Sequence, residues 1–235
     1  MKETEFTCSN SSPKPSQRMT LEQISAVILA GGMARRMNGQ DKGLMKFQGL
    51  PMVNRISRAL EVQCHRVMIN ANRNIQYYTP LGFDVFSDEL TNYQGPLSGM
   101  YTALGKLQTN WLITVPCDGP FVDEHYVSKM YEAVEQNKTQ LAVASFDGRL
   151  QPVYALIHRS LKSSLGAFLQ TGERKIDRWY HQHDFSIVDF DDSPEMFINI
   201  NTPEQLLDLE TRYHSDVSIS ASEDSSPQKS PDSEN

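Results

Sequence analysis

A glycine-rich loop with three positive charges follows the first apolar segment of the chain. The apolar run 24–30 breaks into a double glycine, and Arg35, Arg36 and Lys42 follow within the next ten residues. Glycines allow backbone N–H groups to approach an anion closely, and lysine and arginine supply the charge that a polyphosphate needs. The spacing matches neither G-x-x-x-x-G-K-[ST] nor G-x-G-x-x-G. The loop therefore predicts a polyphosphate site of another type, the alternative being ordinary solvated loop charges.

A carboxylate, Asp118, follows another apolar segment in the sequence Pro116-Cys-Asp-Gly-Pro-Phe121. In α/β proteins, ligands bind where the carboxyl ends of the strands meet, and we expect Asp118 to lie at such an end. Mg²⁺ in proteins is held by one or two carboxylates together with substrate phosphates. The alternative is a turn aspartate before Gly119 and Pro120, which turn chemistry also favours. We predict that Asp118 is a magnesium ligand.

Polar or turn-forming residues follow two further strand-like segments. Asn70 has both a donor and an acceptor, which suits a base edge or a ribose hydroxyl. Asp88 follows the next segment, and Gly95 and Pro96 are expected to form a tight turn into a helix. The ordinary alternatives are a helix cap for Asn70, a loop carboxylate for Asp88 and a simple helix start. Asn72 is the better cap candidate.

Four motifs together resemble the molybdenum cofactor guanylyltransferases, a family of nucleotidyltransferases. They are L-A-G-G-x-x-x-R-M-x-G-x-D-K-G-L from residue 29, G-P-L-x-G from 95, P-C-D-x-P-F from 116 and N-x-N-T-P from 199. The resemblance spans about residues 24–210. This chain has Asn38 where the family often has glycine, and asparagine is tolerated at positive φ. It also has Lys175 where the family has an arginine, so the bidentate fork is lost.

The resemblance implies a role for each matched residue. Lys42 and Arg36 would act with Asp118 in catalysis, and Asp118 would hold Mg²⁺. The residues expected to bind GTP are Leu29, Ala30, Gly31, Gly32, Lys42, Asn70, Asp88, Gly95, Pro96 and Asp118. The residues expected on the acceptor side are Lys175, Asn199 and Asn201, although Asn201 or Thr202 could instead cap the last helix.

The implied activity is transfer of GMP from GTP to molybdenum-loaded molybdopterin, with release of pyrophosphate. The first alternative is another nucleotidyltransferase, making the cytidine form of the cofactor or an activated sugar. Cytidylyl relatives tend to have Ala-Ala-Gly in place of Ala30-Gly31-Gly32, which favours guanine here. The second alternative is a nucleotide- or cofactor-binding protein without catalysis. Lys42 and Asp118 argue against it, because a binder has no need of a metal-holding aspartate.

Strand-like and helix-like segments alternate along the chain. The predicted strands are 24–30, 65–70, 83–86, 111–115, 141–145, 152–157, 185–190 and 197–200, and the predicted helices are 51–63, 97–107, 123–135 and 159–170, with a last one from 202. Asp123 and Thr202 are predicted N-caps, and Leu206 and Leu207 are predicted core residues. The alternation predicts an α/β protein with a Rossmann-like three-layer α/β/α fold and a mostly parallel sheet. The resemblance implies the nucleotidyltransferase type of this fold.

Both ends of the chain are polar. Residues 214–235 hold eight serines, two prolines, five acidic residues and one lysine, which cannot bury enough apolar surface to offset ordering. We predict a disordered extension over 1–22, a nucleotidyltransferase domain over 23–212 and a disordered Ser-rich acidic tail over 213–235. The net charge of −7 and the absence of an extended cluster of Lys and Arg residues argue against a nucleic-acid partner.

The cysteines indicate a reducing compartment. Cys8, Cys64 and Cys117 form no C-x-x-C pair, which favours neither a disulfide framework nor a zinc site. The sequence has no signal-peptide core and no apolar run near the roughly 20 residues of a membrane helix. We expect a monomeric cytoplasmic enzyme that binds GTP and molybdopterin, with no membrane partner. Proteins that deliver or collect the cofactor are further candidate partners.

Overall fold

The computed structural model describes residues 22–32, 41–90 and 95–223, with side chains up to residue 213. The strands are β1 (Ile24–Leu29), β2 (Lys46–Phe47), β3 (Leu50–Pro51), β4 (Arg66–Asn70), β5 (Asp84–Phe86), β6 (Trp111–Pro116), β7 (Leu141–Phe146), β8 (Arg149–His158) and β9 (Ser186–Asp189). The α-helices are α1 (Met52–Glu61), α2 (Ile75–Tyr78), α3 (Pro96–Lys106), α4 (Tyr126–Asn137), α5 (Lys162–Gln170), α6 (Ile176–Tyr180) and α7 (Pro203–Glu223). Short 3-10 helices cover Lys42–Leu44, Thr79–Leu81, Arg159–Leu161 and Pro194–Phe197.

Seven strands form one sheet in the order β5-β4-β1-β6-β8-β7-β9, while β2 and β3 form a separate antiparallel hairpin. Within that sheet, β8 is antiparallel to both of its neighbours, and the other strands run parallel to one another. The chain passes from β1 to β4 and β5 on one side, then returns to place β6 on the other side of β1. In open α/β sheets this reversal leaves a crevice at the carboxyl ends of the strands.

Helices cover both faces of the sheet, which confirms the predicted three-layer α/β fold. Side chains alternate along a strand, so Ala26 and Ile28 of β1 pack into one apolar cluster and Val27 packs into the other. The first cluster also contains Ile56 of α1 together with the buried face of α4, and the second contains residues of α3, α5 and α6, such as Leu97. Burial on both sides explains why the central strands β1 and β6 are almost entirely apolar, with Ser25 and Thr114 as buried polar exceptions.

A third apolar cluster holds the last helix against the β2–β3 hairpin. Its buried members are Phe47, Met52, Ile200 and Leu209. The rings of Phe121, just after β6, and Tyr213 on α7 stack with their centroids 5.1 Å apart. Helix α7 continues to Glu223, beyond the predicted domain end at 212. The remaining residues of both predicted disordered ends, 1–21 and 224–235, lie outside the described part of the chain.

Three predictions about elements outside the cleft are wrong. Residues 197–200 are not a strand: Phe197 ends a 3-10 helix, and Ile200 makes one backbone hydrogen bond to Asp118 instead of a ladder. Asp123 does not cap α4, which begins at Tyr126, because its carboxylate accepts a turn hydrogen bond from the backbone of His125. Leu207 is 66% exposed, since Leu206 and Leu209 occupy the inner face of α7.

No helix among the described residues is long and apolar enough to cross a membrane.

Candidate active site

A cleft of about 470 Å³ opens at the carboxyl ends of β1, β4 and β6, within the range of roughly 300–1,000 Å³ for small-molecule sites. It lies where the strand order reverses. Its lining consists of Leu29, Ala30, Gly31, Gly32, Asp41, Lys42, Asn70, Asn72, Arg73, Asp88, Gly95, Pro96, Pro116, Cys117, Asp118, Val153 and Asn201. The fold therefore brings together every described residue that the sequence analysis assigned to GTP. Arg36 lies outside the described residues.

One end of the cleft is built around the ammonium group of Lys42. Its Nζ lies 3.2 Å from Oδ2 of Asp118 and donates a 2.5 Å hydrogen bond to Oδ1 of Asn201. The side chains of Lys42 and Asp118 are 23% and 24% exposed, so both remain accessible from the cleft. A charge-assisted bond in such a half-buried place fixes the orientation of both partners. This end of the cleft is therefore a preorganised charged site.

Asn201 reaches this site because its neighbour caps the last helix. The hydroxyl of Thr202 accepts a hydrogen bond from the backbone N–H of Gln205, as an N-cap does, which confirms that prediction. The backbone N–H of Asn201 donates to Oε1 of Gln205, and the backbone N–H of Ile200 donates to the carbonyl of Asp118. The side chain of Asn201 is thus directed to Lys42, and the 199–203 motif is tied to the end of β6.

The other end of the cleft contains a network of two asparagines and one carboxylate. Oδ1 of Asp88 accepts from Nδ2 of Asn70 at 2.8 Å, and Oδ2 accepts from Nδ2 of Asn72 at 2.9 Å. The backbone N–H of Asp88 returns a bond to Oδ1 of Asn72. Asn70 is 2% exposed, so its amide is held rigidly at the end of β4. The prediction of Asn72 as a helix cap is wrong, because its amide joins Asp88 and the carbonyl of Gly31.

The wall beside this network is the amino end of α3. Gly95 precedes the helix with φ 76° and ψ −170°, a conformation that residues with a Cβ essentially never adopt. Pro96 occupies the first turn, where its missing N–H leaves no bond unmade. The predicted tight turn into a helix is confirmed, and both residues line the cleft.

Cys117 lines the cleft but is not equipped to act as a nucleophile. Burial raises the pKa of its thiol well above the usual range, and the nearby charges of Asp118 and Asp41 raise it further. The reactive form of cysteine is the thiolate. A thiol with a raised pKa stays protonated at neutral pH, so Cys117 is a poor nucleophile.

This protonation state predicts slow alkylation. At pH 7.5, iodoacetamide modifies Cys117 in the folded protein at least about 10-fold more slowly than in the urea-unfolded protein, because little thiolate is present. Peptide mass spectrometry over time measures both rates. Equal rates in the folded and unfolded protein would contradict the assignment of a buried, protonated thiol.

Two residues predicted on the acceptor side lie outside the cleft lining. Lys175 and Asn199 are both exposed, on the segment before α6 and on the segment before α7 respectively. The backbone N–H of Lys175 meets the carboxylate of Glu173 at 3.5 Å. Their acceptor roles remain predictions, whereas Asn201 of the same set lines the cleft and contacts Lys42.

Six residues of the cleft wall were not predicted from the sequence: Asp41, Asn72, Arg73, Pro116, Cys117 and Val153. Asp41 and Asn72 lie next to predicted site residues, Lys42 and Asn70, and this closeness in the sequence could have indicated them. Val153 lies in the middle of β8, where no feature of the sequence indicates a site residue.

The described residues contain no cluster of three or more His, Cys, Asp or Glu side chains that could hold a metal on their own. Oδ2 of Asp118 and Oδ1 of Asn201 nevertheless converge on one cationic group, the ammonium of Lys42. Carboxylate and amide oxygens are ligands of hard cations, and Mg²⁺ commonly takes its remaining ligands from water and substrate phosphates. The residues present therefore fit a magnesium ion that is bound together with a nucleotide.

Comparison with known proteins agrees with this architecture. The MobA-like NTP transferase domain matches residues 26–185. Two proteins named molybdenum cofactor guanylyltransferase, from Shewanella sp. (strain MR-4) and Shewanella sediminis, are each 49% identical over 183 residues, covering 78% of this chain and 93% of the relative. The fold also resembles the crystal structure of molybdopterin-guanine dinucleotide biosynthesis protein A from Archaeoglobus fulgidus. In that comparison the TM-score is 0.65 at 20% identity, and the match covers 81% of this chain and 99% of the other. The chain therefore belongs to the molybdenum cofactor guanylyltransferases, nucleotidyltransferases with a MobA-like domain.

Proposed function

We propose that this enzyme transfers GMP from GTP to the terminal phosphate of molybdenum-loaded molybdopterin. The products are the guanine dinucleotide form of the cofactor and pyrophosphate. The observation that carries this proposal is the convergence of Lys42, Asp118 and Asn201 in a cleft at the strand-order reversal. The names of the relatives at 49% identity supply the acceptor and the base.

The division of charge within the cleft supports an orientation of the nucleotide. The network of Asn70, Asn72 and Asp88 has donors and acceptors suited to a base or ribose, and it lies beside Leu29 to Gly32. The other end holds the ammonium of Lys42, which suits phosphate. In the proposal, the base and ribose lie towards Asp88 and the α-phosphate lies beside Lys42.

The transfer is a phosphoryl-type displacement that needs alignment more than proton transfer. The acceptor phosphate is already an anionic nucleophile, so no strong general base is required. As its oxygen attacks the α-phosphorus, the bond to the bridging oxygen breaks and pyrophosphate leaves with that electron pair. Lys42 neutralises charge that develops on the phosphoryl oxygens, and preorganised charge of this kind is a main source of rate acceleration. Arg36 is proposed to share this task.

A divalent cation completes the proposed chemistry. Asp118 would hold it, and Asn201 offers a second oxygen. When bound, the ion supplies positive charge to the phosphate oxygens and to the leaving group. Magnesium is proposed because the protein offers few ligands and the nucleotide supplies the others.

Pyrophosphate release tests the proposal directly. The purified enzyme is given Mg²⁺, molybdenum-loaded molybdopterin and one of GTP, CTP, ATP or UTP, and pyrophosphate is measured over time. We expect release with GTP that depends on both the acceptor and the metal ion. Release with CTP alone would change the product to the cytidine form. GTP binding without pyrophosphate release in the presence of acceptor would indicate a non-catalytic binder.

We also propose a compartment, an oligomeric state and partners for the enzyme. The substrates are GTP and the molybdenum-carrying pterin, and we propose that the enzyme works in the cytoplasm as a monomer. The two described cysteines, Cys64 and Cys117, are free thiols, which suits a reducing compartment. Proteins that deliver the cofactor and proteins that receive it are the proposed partners.

A further inference from the structure

The hydroxyl of Tyr78 lies against both residues that flank Lys42. It donates a 2.5 Å hydrogen bond to Oδ1 of Asp41. A Cβ placed on Gly43 would come within 2.8 Å of the same hydroxyl oxygen, closer than real Cβ contacts, so the backbone of Gly43 packs directly on it. Tyr78 itself is fully buried and does not line the cleft. One buried hydroxyl thus contacts the residues before and after the proposed catalytic lysine.

Asp41 is an unusual neighbour for a phosphate site. Asp41 lines the cleft, where an exposed carboxylate would repel a nucleotide, but its side chain is only 4% exposed. Tyr78 and Asn74 donate hydrogen bonds to it, and Nε of Arg73 lies 3.9 Å from it. A buried carboxylate is strongly unfavourable unless such partners compensate for its lost hydration. The chain keeps this charge buried where it anchors the backbone next to Lys42.

The source of these partners is the short segment after β4. Asn74 adopts the left-handed conformation, with φ 54° and ψ 24°, and helix α2 follows directly from it. This turn directs Tyr78 back under the 3-10 helix that begins at Lys42. Burial, together with Cys117 and the bond to Asp41, raises the pKa of Tyr78 above its usual range. The hydroxyl therefore stays protonated and remains a donor at any pH at which the enzyme works.

We propose that Tyr78 is a positioning residue for Lys42. Through the buried carboxylate of Asp41 and contact with Gly43, it fixes the backbone of residues 41–43, so that the ammonium of Lys42 is held beside Asp118 and Asn201. This inference rests on the proposed role of Lys42 in the transfer. Tyr78 touches no substrate and acts only through the lysine.

The effect of losing this support follows from the geometry. Lys42 must be in place before the charge on the phosphoryl group develops, and a catalytic group displaced by about 1 Å can lose about 100-fold in rate. Tyr78→Phe keeps the ring and its packing but removes the hydroxyl. The backbone of residues 41–43 then samples more positions, so kcat falls by about 10-fold while KM for GTP changes by less than about 3-fold.

A double-mutant cycle with Lys42→Ala separates positioning from a general effect on the fold. If Tyr78 acts through Lys42, Tyr78→Phe changes kcat by less than about 2-fold in the Lys42→Ala background. An equal loss in both backgrounds would mean that the hydroxyl acts through overall stability, and it would overturn the proposal. Wild-type kcat in Tyr78→Phe would overturn it as well.

Two tyrosines provide matched controls for the same substitution. Tyr77 is adjacent and 61% exposed, so Tyr77→Phe keeps both kcat and thermal stability. Tyr126 is fully buried and donates a 2.9 Å bond to the carbonyl of Thr114. Tyr126→Phe loses thermal stability, as Tyr78→Phe does, but keeps its kcat. A loss of kcat in Tyr126→Phe equal to that in Tyr78→Phe would count against positioning.

A measurement that needs no activity separates this proposal from the proposed function. Reductive methylation with formaldehyde and cyanoborohydride, followed by peptide mass spectrometry, reports how freely each lysine reacts. We expect Tyr78→Phe, and independently Asp41→Asn, to speed labelling of Lys42 but not of exposed Lys46. Unchanged labelling of Lys42 would overturn positioning whatever the enzyme does. If Lys42 is labelled faster in the variants and the wild-type enzyme releases no pyrophosphate, positioning is upheld and the proposed function is overturned.

Discussion

Replacing Asp118 by asparagine lowers kcat for pyrophosphate release from GTP by about 100-fold to 1,000-fold, the range seen when one preorganised electrostatic contact is lost. The substitution preserves shape and leaves the backbone carbonyl that accepts from Ile200. It removes the negative charge that pairs with Lys42 and that would hold Mg²⁺. Steady-state kinetics over a range of Mg²⁺ concentrations measures this effect.

The matched control for this substitution is Asp84→Asn. Asp84 also forms one ion pair, with Arg66, but it lies at the amino end of β5, away from the cleft. We expect wild-type kcat in Asp84→Asn, and thermal midpoints within about 4 °C of wild type in both variants, because neither change opens a cavity. Asp118→Asn with near-normal turnover would remove Asp118 from the proposed mechanism.

Replacing Lys42 by alanine lowers kcat/KM for GTP by about 100-fold or more, because the charge that faces the phosphates is lost. We expect kcat to fall and KM for GTP to rise. A cation beside the phosphates contributes to GTP binding, and it contributes more as charge develops in the transition state. Kinetics together with calorimetric GTP binding separates the two parts.

Lys46→Ala is the control for charge alone. Lys46 lies on β2, four residues further along the chain, and its side chain is exposed. Both substitutions change the net charge equally, so general electrostatic steering of an anionic nucleotide would affect them to a similar extent. The assignment of Lys42 fails if Lys46→Ala and Lys42→Ala lose the same amount of activity.

The local features of this protein could be predicted from its sequence. The alternation of apolar strands with amphipathic helices predicted the three-layer α/β fold, because burial on one or two faces imposes a period on each segment. The Thr202 cap and the turn at Gly95 depend on neighbouring residues only, and both are confirmed. The predicted cleft residues follow the ends of β1, β4 and β6, which meet at one edge of a parallel sheet.

The predictions that are wrong concern residues whose contacts with distant parts of the chain override the local sequence pattern. Residues 197–200 have the apolar character of a strand, but Ile200 packs with Phe47 and Leu209 beneath the last helix. Asn72 has the position of a cap, but Asp88 lies close enough to bond it twice.

The sequence by itself determined the family, the strand-to-loop position of Lys42 and the strand-end position of Asp118, since each depends on residues close by in the chain. Only the tertiary structure decided which side chains meet them. Asn201 reaches Lys42 across 159 residues of sequence, and Tyr78 reaches Asp41 across 37. Such pairs arise from the order in which strands enter the sheet and from helix packing, and no local propensity specifies either. The side chains that hold Lys42 in place are therefore a product of the fold.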